Sequence, residues 1–403
     1  MKVLHLSTFD RINGASIAAY RLHRGLLSAG VDSRMWVQNK VTGDPTVIGP
    51  GRGLKKYIAL TRPWIDRLPL AFVGAFHDAL SSPSWLPRRI AKILNQENPD
   101  VIHLHWVQGG FLPIRSIKKF KIPVAWTFHD QWALAGMRQI PFLNDDGCSH
   151  FYERWDERLK RLKTRDWPRQ NILAVAPSRW MKDKADKSEV WDGRPVVNIA
   201  NPIDVSVFNE VDKSVARRLL GLPENRKLIL FGSEAGTNDP RKGFDLLSRA
   251  CKISWEKGFR FDLVCLGHGD PIDLRPIKCY SLGWLHDECS LALAYSASDL
   301  VAMPTRVDNL PNTAVEAAAC GRPIVACDVG GVRDTIEDNV TGKLCRPESI
   351  DDLSESISSI IDDEELRDKM GKAARVRAIE KFSMDSLVPK FLEMYEGLAA
   401  HQG

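Results

Sequence analysis

The stretch 303–331, MPTRVDNLPNTAVEAAACGRPIVACDVGG, contains the end of a strand, a loop between two prolines, a short helix and a second strand. The apolar run stops at Pro304, and Pro311 keeps the loop extended before the helix begins. We expect the helix to close at Gly321, because glycine favours the end of a helix and Pro323 follows it. This order of elements is typical of a parallel α/β unit.

The loop of this stretch has the features of an anion and ribose site. The first N–H groups of a helix have no partner within it, and the helix dipole favours phosphate there. Asp308 and Glu316 flank the loop. Two structural alternatives remain open at this point: Thr313 and Glu316 also match a capping box, and Asp308 before Asn309 also suits an ordinary turn.

Strands alternate with helices over both halves of the chain, which predicts an α/β fold with two Rossmann-like, doubly wound parallel sheets. A chain of 403 residues exceeds what one hydrophobic core usually supports. The turn at 201–204 ends the first series of units. We predict one domain over residues 1–205 plus 384–403, with an amphipathic C-terminal helix that returns to it, and a second domain over 206–383.

The composition excludes several classes of function. A net charge of +5 and a pI near 8.7 suit an anionic substrate or a membrane surface but are too weak to indicate nucleic acid. Eight scattered cysteines without a C-x-x-C pair predict reduced thiols and a cytoplasmic protein. The first residues are expected to form a strand rather than a signal peptide, and no apolar run is long enough to span a bilayer.

Two features of the first half suggest contacts with a membrane or a sugar. The basic segment 52–72 also carries apolar side chains, so we expect either peripheral contact with the inner face of the membrane or a solvated helix packed on its own domain. Ten of the twelve tryptophans lie at or before Trp191. Their flat faces suit a carbohydrate acceptor, whereas ordinary packing is the alternative for each one.

Polar side chains follow the predicted strand ends, where an open α/β sheet binds its ligand. His105 and Trp106 follow one strand, and His129 and Asp130 follow the next. His103 and His105 lie two residues apart and share a face, but we see no third ligand and therefore predict no metal site, with one of the two in the core. An ordinary histidine at a strand end is the alternative for His129.

In their order and spacing these motifs resemble family 4 of the retaining nucleotide-sugar glycosyltransferases, which have the GT-B fold of two Rossmann-like domains facing a cleft. The resemblance runs essentially end to end, and the DNLPNT variant looks closest to members that build bacterial exopolysaccharides of the colanic-acid type. The motifs that carry it are Gly14, 103–106, 127–130, 177–180, 201–204, 241–244, Gly283 and 308–331.

The resemblance implies a role for each matching residue. Glu316 would hold the ribose hydroxyls, and Lys242 with Arg241 would neutralise the diphosphate in place of a metal. The implied catalytic residues are His129, which would touch the donor sugar, Asp308 and Lys242. The implied donor-binding residues are Gly14, Arg241, Lys242, Leu285, Asn309, Leu310, Pro311, Asn312, Thr313 and Glu316. The implied acceptor-binding residues are His105, Trp106 and Asp130, with no metal and no cofactor.

Three positions depart from the family pattern. The first acid of the paired carboxylates is Asp308 rather than glutamate, Asn309 replaces the usual glycine, and Ser233 stands where an arginine is common. Binding of the diphosphate is therefore expected to be weaker or differently arranged.

The resulting expectation is a metal-independent enzyme that transfers a hexosyl group with retention to a hydroxyl of a glycan or a polyprenyl-diphosphate-linked saccharide. UDP-glucose is the favoured donor and GDP-mannose the second choice. The alternative is a non-catalytic scaffold of a polysaccharide assembly that binds nucleotide sugar. A phosphorylase is less favoured, because no lysine suits a pyridoxal cofactor.

Overall fold

The computed structural model describes residues 1–51, 53–72, 81–88, 90–140, 150–167, 172–269 and 273–400. The chain forms two compact units, one comprising Met1–Asn201 with the segment from Leu387 onward and the other comprising Pro202–Ser386. Each unit contains its own parallel sheet.

The first unit has a seven-stranded sheet in the order β3-β2-β1-β4-β5-β6-β7. Its strands are β1 Lys2–Phe9, β2 Asp32–Asn39, β3 Val47–Ile48, β4 Val101–Leu104, β5 Val124–Thr127, β6 Ile172–Ala176 and β7 Val196–Asn198. Its helices are α1 Gly14–Ser28, α2 Leu54–Asp66, α3 Leu68–Ala71, α4 Ile90–Glu97, α5 His150–Asp166 and α6 Arg179–Asp186, with a 3₁₀ helix at Ile114–Lys119.

The second unit has a six-stranded sheet in the order β10-β9-β8-β11-β12-β13. Its strands are β8 Leu228–Gly232, β9 Asp262–Leu266, β10 Cys279–Gly283, β11 Leu300–Met303, β12 Ile324–Cys327 and β13 Gly342–Cys345. Its helices are α7 Lys213–Leu220, α8 Phe244–Glu256, α9 Glu288–Ala297, α10 Asn312–Ala319, α11 Val332–Thr335, α12 Ile350–Ile361 and α13 Glu364–Phe382, with 3₁₀ helices at Gly236–Asn238 and Pro240–Lys242. The last helix is α14 Met384–Ala400.

Both sheets confirm the predicted fold class. All strand pairs are parallel, and the strand order reverses between β1 and β4 in the first unit and between β8 and β11 in the second. Such a reversal opens a crevice at the carboxyl ends of the strands, which is where doubly wound sheets bind ligands.

The tryptophans of the first unit mostly pack in its core. Trp126, Trp132, Trp167 and Trp191 are at most 2% exposed, and Trp126 contacts Trp167 edge-to-face at 5.0 Å between ring centroids. The packing alternative therefore holds for these four, and an acceptor cannot reach their faces.

The local predictions differ from the structure in a few places. The basic segment 52–72 is largely helical, in α2 and α3, while residue 52 lies outside the described residues. Strands β3 and β13 were not predicted, since neither has an apolar run that marks a strand.

The C-terminal helix is fixed to the first unit by a buried polar contact. The Tyr395 hydroxyl lies 2.6 Å from Nδ1 of His103, and both side chains are fully buried. Phe391 packs beside the same imidazole, with ring centroids 6.0 Å apart. The end of the chain therefore completes the core of the first unit.

Replacing Tyr395 with phenylalanine should lower the free energy of unfolding by about 1–3 kcal/mol, because Nδ1 of His103 would stay buried without its partner. Urea unfolding monitored by circular dichroism measures this change. Tyr57→Phe is the matched control, since Tyr57 is 69% exposed. Equal stability of the two variants would contradict the inferred contact.

Candidate active site

The loops that follow the strands of the second unit contact one another at the carboxyl edge of its sheet. The Arg306 N–H donates to the Arg241 carbonyl at 2.7 Å, and the Gly331 N–H donates to the Asp308 carbonyl at 3.0 Å. Gly330 has a φ of +56°, and a Cβ there would lie 1.9 Å from the Asp308 carbonyl oxygen. Only glycine allows this approach, which fixes the backbone around Asp308.

Lys242 and Asp308 form an ion pair, although the resemblance implied a separate role for each of them. Lys242 Nζ lies 2.7 Å from Asp308 Oδ2, and the two side chains are 31% and 17% exposed. Both groups remain accessible to a ligand at this edge of the sheet. A phosphate can replace the carboxylate as the partner of the lysine, since both are anionic oxygen acceptors.

Arg241 is already bound to an acid. Its Nε and Nη2 lie 2.9 and 2.7 Å from the two oxygens of Asp239. Burial opposes the ionisation of Asp239, but the hydrogen bonds and charge of Arg241 outweigh it, so the pKa of Asp239 lies below its ordinary value. Burial raises the pKa of the nearby Glu234, although Arg241 opposes this shift. Arg241 is thus held by two hydrogen bonds from its side chain to Asp239, whereas Lys242 makes one to Asp308.

Glu316 does not cap its helix. The N-cap of α10 is Pro311, which makes no side-chain capping bond, so the capping-box alternative is wrong. Glu316 is only 6% exposed, and its Oε2 accepts a hydrogen bond from the Tyr295 hydroxyl at 2.7 Å. Tyr295 thus orients the acid. The end of α10 agrees with expectation, since Gly321 follows the C-cap with a φ of +67°.

The remaining predicted donor residues differ in accessibility. Leu310 and Pro311 are buried, whereas three polar side chains in the loop and the first turn of α10 are half-buried. These three are Asn309, Asn312 and Thr313. Leu285 is half-buried beside Trp284, whose ring stacks on His268 with centroids 5.2 Å apart and planes 8° apart. His268 follows β9 and Trp284 follows β10, so the pair lies at the carboxyl edge of the second sheet.

Gly14 lies in the first unit as the first residue of α1 and is exposed. The preceding Asn13 caps the helix, accepting from the Ser16 N–H at 3.0 Å while the Ser16 hydroxyl accepts from the Asn13 N–H. No acidic residue lies in the first turn. The helix terminus is therefore well formed and suited to an anion.

Asp130 is the centre of a hydrogen-bond network in the first unit. It accepts from Gln108 Nε2 at 2.7 Å, the Trp132 N–H at 2.8 Å and Trp106 Nε1 at 3.0 Å. Burial raises the pKa of Asp130 to about 6 despite these donors. The indole N–H thereby holds Trp106 in place. The Trp106 ring stacks on that of Phe9, with ring centroids 5.5 Å apart.

The histidines of the first unit contact one another. Nε2 of His129 lies 3.1 Å from Nδ1 of His105, and Nε2 of His105 lies 2.9 Å from Nδ1 of His5. Burial lowers the pKa of His103 and of His129 to about 3 and that of His23 to about 4. The pKa values of His5 and His105 also lie well below the ordinary value, because burial disfavours the charged form.

His105 is placed differently from the expected acceptor contact. It is 3% exposed, and both of its ring nitrogens contact other imidazoles. The imidazole of His105 is therefore held between His5 and His129 inside the first unit. Both His103 and His105 are buried, whereas only one of them had been expected in the core.

A third potential metal ligand is present, contrary to the sequence expectation. The ligand atoms of His5, His103 and His105 lie within 4.8 Å of one another. However, both nitrogens of His103 have hydrogen-bond partners, namely the Tyr395 hydroxyl and the Thr127 hydroxyl at 2.6 and 2.7 Å. The described groups therefore form a hydrogen-bonded cluster, in which a metal would have to displace existing partners.

The sequence missed Tyr295, His5 and His268. Tyr295 lies 21 residues before Glu316 on a different helix, and no local pattern joins the two. His5 could have been found from the sheet, because it pairs in register with His103 on the neighbouring strand. Residues paired in this way share a face.

Comparison with known proteins matches this architecture. Residues 12–207 match the family model "Glycosyltransferase Family 4", and residues 212–377 match "Glycosyl transferases group 1". The chain is a glycosyltransferase. Together the two matches take in nearly all of the chain, in the same order as its two units.

The relatives of this glycosyltransferase include several D-inositol 3-phosphate glycosyltransferases. That of Kribbella flavida is 26% identical over 68% of this chain and 66% of its own length. That of an Arthrobacter species is 24% identical, covering 93% of this chain and 89% of that protein. That of Streptosporangium roseum is 23% identical, covering 99% of this chain and 92% of that protein.

Solved structures show the same fold. Sucrose-phosphate synthase from Thermosynechococcus elongatus superposes with a TM-score of 0.75 at 18% identity, covering all of both chains. HepE from Anabaena, solved with UDP and glucose, superposes with a TM-score of 0.70 at 17% identity, covering 98% of this chain and 99% of that one. Both units therefore have the architecture of the GT-B fold.

Among the described residues, none of the helices has the length and apolar character needed to cross a membrane.

Acid should destabilise the first unit of the glycosyltransferase before the second. Among the described residues, its four buried histidines and the half-buried His129 have pKa values below the unfolded value of about 6.5, so the unfolded state binds more protons as the pH falls below that value. Each such group can lower the free energy of unfolding by up to about 1.4 kcal/mol per pH unit.

Hydrogen exchange between about pH 6.5 and 4.5 measures the effect by comparing β1 and β4 with β8 and β11. His268 and His286 of the second unit are exposed and serve as the internal reference. Equal loss of protection in the two sheets would contradict the prediction.

Proposed function

We propose that the enzyme transfers a hexosyl group, with retention, from UDP-glucose to a hydroxyl of a glycan or lipid-linked saccharide in exopolysaccharide synthesis. The observation that carries this proposal is the pairing of Lys242 with Asp308 at 2.7 Å, beside the loop before α10. This arrangement supplies a cation for a diphosphate and an acid for sugar hydroxyls at one place.

Donor binding exchanges the partners of this pair. The diphosphate takes Lys242, and the released Asp308 accepts hydrogen bonds from the sugar. As the glycosidic bond breaks, the diphosphate gains negative charge and the sugar becomes oxocarbenium-like. Lys242 and the N–H groups of the loop at Asn309–Asn312 stabilise the leaving group, whose own oxygen takes the acceptor proton. The backbone N–H at Gly14 provides a further anion contact in the first unit.

Glu316 binds the ribose hydroxyls of the nucleotide. Its carboxylate can accept two hydrogen bonds, and the Tyr295 hydroxyl fixes the orientation of the acid from behind. The stacked Trp284 and His268 offer a flat surface for the nucleobase near Leu285. These residues bind the nucleoside, whereas Lys242 and Asp308 act where the bond breaks.

The identity of the donor is supported by relatives of the fold. HepE was solved with UDP-glucose, and that structure covers 98% of this chain with a TM-score of 0.69. UDP-glucose is therefore our first candidate, and GDP-mannose is the second. No metal takes part, since Lys242 and Arg241 supply the positive charge.

An anionic acceptor suits the first unit. A cavity of about 1480 Å³ is lined by nine basic and three acidic side chains, with Trp85 and Trp155 among its aromatic walls. Two of the acids are already paired, Asp156 with Lys160 at 3.3 Å and Glu157 with Arg161 at 3.4 Å. A polyprenyl-diphosphate-linked saccharide fits this charge. An inositol phosphate, named by the curated relatives, is the second candidate acceptor.

The segment 53–72 supports contact with the inner face of the membrane. Five apolar side chains lie on one side of α2 and its continuation: Leu54, Tyr57, Ile58, Trp64 and Phe72, which are 50–85% exposed. Ala59 and Leu70 on the opposite side are buried. The exposed Lys55 and Lys56 add positive charge for anionic lipids.

This helix also contacts the wall of the basic cavity. The Trp85 indole N–H donates to the Asp66 carbonyl at 3.1 Å, and Arg62 Nη2 donates to the Leu86 carbonyl at 3.2 Å. Trp85 lines the cavity. A lipid-linked acceptor can therefore reach the cavity from a membrane bound at α2.

Lys242→Ala should reduce transfer from UDP-glucose by about 10²- to 10³-fold, because the leaving group loses its main cation. Donor hydrolysis and transfer, measured in the presence of chelator with UDP-glucose and GDP-mannose in parallel, provide the readout. Lys227→Ala is the matched control, since Lys227 forms an exposed pair with Asp362, also at 2.7 Å. Nucleotide binding without turnover by the unmodified protein would favour the non-catalytic scaffold.

Replacing Tyr57, Ile58 and Phe72 together with serine should abolish binding to vesicles containing anionic phosphatidylglycerol, because the apolar face of the helix is lost. Co-sedimentation with vesicles measures binding. The matched control replaces Leu219 and Val376, which are 66% and 54% exposed in the second unit. Binding that survives the triple change would place the membrane contact elsewhere.

A further inference from the structure

In the second unit, the loop before α8 and the loop after β11 are joined on both sides of Lys242. On one side, the Arg306 N–H donates to the Arg241 carbonyl at 2.7 Å. On the other side, Gly243 has a φ of +69°, and a Cβ there would lie 2.0 Å from the Pro304 carbonyl oxygen, so only glycine allows this approach. The main chain at Lys242 is therefore fixed against the loop that carries the acid partner of the lysine.

The side chain of Arg306 strengthens this junction with all five of its N–H donors. Nη1 donates to the Pro240 carbonyl at 2.6 Å and to Asp245 Oδ1 at 2.8 Å. Nη2 donates to Asp245 Oδ2 at 2.7 Å and to Glu348 Oε2 at 3.2 Å, and Nε lies 2.8 Å from Glu348 Oε1. A guanidinium has no sixth donor. Arg306 thus connects its own loop to three other segments of the second unit.

These contacts make Arg306 poorly suited to bind a diphosphate directly. Its single positive charge faces two carboxylates, so the group as a whole has a net negative charge. The hydrogen bonds and the charge of Arg306 hold the pKa of Asp245 below its ordinary value, which keeps this acid ionised at neutral pH. An effect of Arg306 on the reaction therefore has to pass through the neighbours whose position it fixes.

We propose that Arg306 is a positioning residue for Lys242, which it holds in place while a diphosphate replaces Asp308 as the partner of the lysine. This inference rests on the proposed function, in which that ion pair opens when the donor binds. Once open, the pair no longer joins the two loops. The five side-chain hydrogen bonds of Arg306 persist, because none of them uses Lys242 or Asp308. The lysine thus stays where the diphosphate binds.

The expected effect of Arg306 is on geometry more than on stability. The side chains of Asp245 and Glu348 are 59% and 57% exposed. Ion pairs of such exposed groups add little to the free energy of unfolding, because water solvates both partners once the pair is lost. A displacement of about 1 Å at a group that acts on the reacting atoms can nevertheless lower the rate about 10²-fold. Arg306→Gln should therefore fold and still lose activity.

The test is a double-mutant cycle between Arg306→Gln and Lys242→Ala in the full-length enzyme. Isothermal titration calorimetry measures the Kd of UDP in the presence of chelator. We expect Arg306→Gln alone to weaken UDP binding about 10-fold, a coupling typical of residues in one network. In the Lys242→Ala background the same change should alter the Kd by less than about 2-fold, because the group that Arg306 positions is absent.

Two further variants separate the geometry of Arg306 from its charge. With UDP-glucose, kcat should fall about 10- to 100-fold in Arg306→Gln. Arg306→Lys should recover only part of this loss, because an ammonium keeps the charge but offers three donors without the planar fork. Arg275→Gln is the matched control. Arg275 donates to the two oxygens of Asp273 at 2.9 and 2.6 Å, outside both loops, so its loss should change neither kcat nor the Kd of UDP.

Three results would overturn the inference. These are unchanged UDP affinity in Arg306→Gln, an equal loss of affinity with and without Lys242, and full recovery of kcat in Arg306→Lys. If Arg306→Gln does not fold, Asp245→Asn weakens two of the same contacts and should give the same cycle with a smaller loss. The cycle requires no sugar transfer, so the positioning role can fail while transfer stands, and transfer can fail while the cycle agrees.

Discussion

Parallel strand pairing is the constraint on which the rest of this structure depends. When all strands of a sheet run in one direction, the chain leaves every strand at the same edge, and residues far apart in sequence meet there. In the second unit this brings Lys242, before α8, to Asp308, after β11. In the first unit it brings His105 and His129 together after β4 and β5. Helices then return the chain to the opposite edge, so that the polar residues remain together while the apolar faces form the cores.

The electrostatics of the two units differ at these edges. The second unit pairs its cations with acids, as Arg241 with Asp239 and Lys242 with Asp308, so that an anionic ligand at these cations would have to replace an internal carboxylate. Because the carboxylate and the ligand compete, binding is limited to groups that offer strong acceptors. The first unit instead buries its histidines as neutral rings that satisfy one another. The second unit thus holds charged pairs at this edge of its sheet, whereas the first holds neutral imidazoles.

Much of the fold and part of the site could be predicted from the sequence. Apolar runs followed by helical periodicity located eleven of the thirteen strands, and the missing ones, β3 and β13, are short edge strands held mainly by their neighbours. The motifs and the family resemblance also singled out Lys242, Asp308 and Glu316 as candidate site residues. The partners of these residues could not be found in the same way. Tyr295 contacts Glu316 from a different helix, and His5 contacts His105 from a different strand. Such contacts leave no local pattern in the sequence.

The sequence alone determined two parallel α/β units and the loops that carry their chemistry, because periodicity, proline and glycine act over a few residues. The tertiary structure decided which of those residues touch. It placed Glu316 against Tyr295 rather than in a helix cap, paired Lys242 with Asp308, and set His105 behind His129 instead of in contact with an acceptor. The physical reason is range: conformational preferences are local, whereas hydrogen bonds and ion pairs form between any groups that the packing of the sheets brings within about 3 Å.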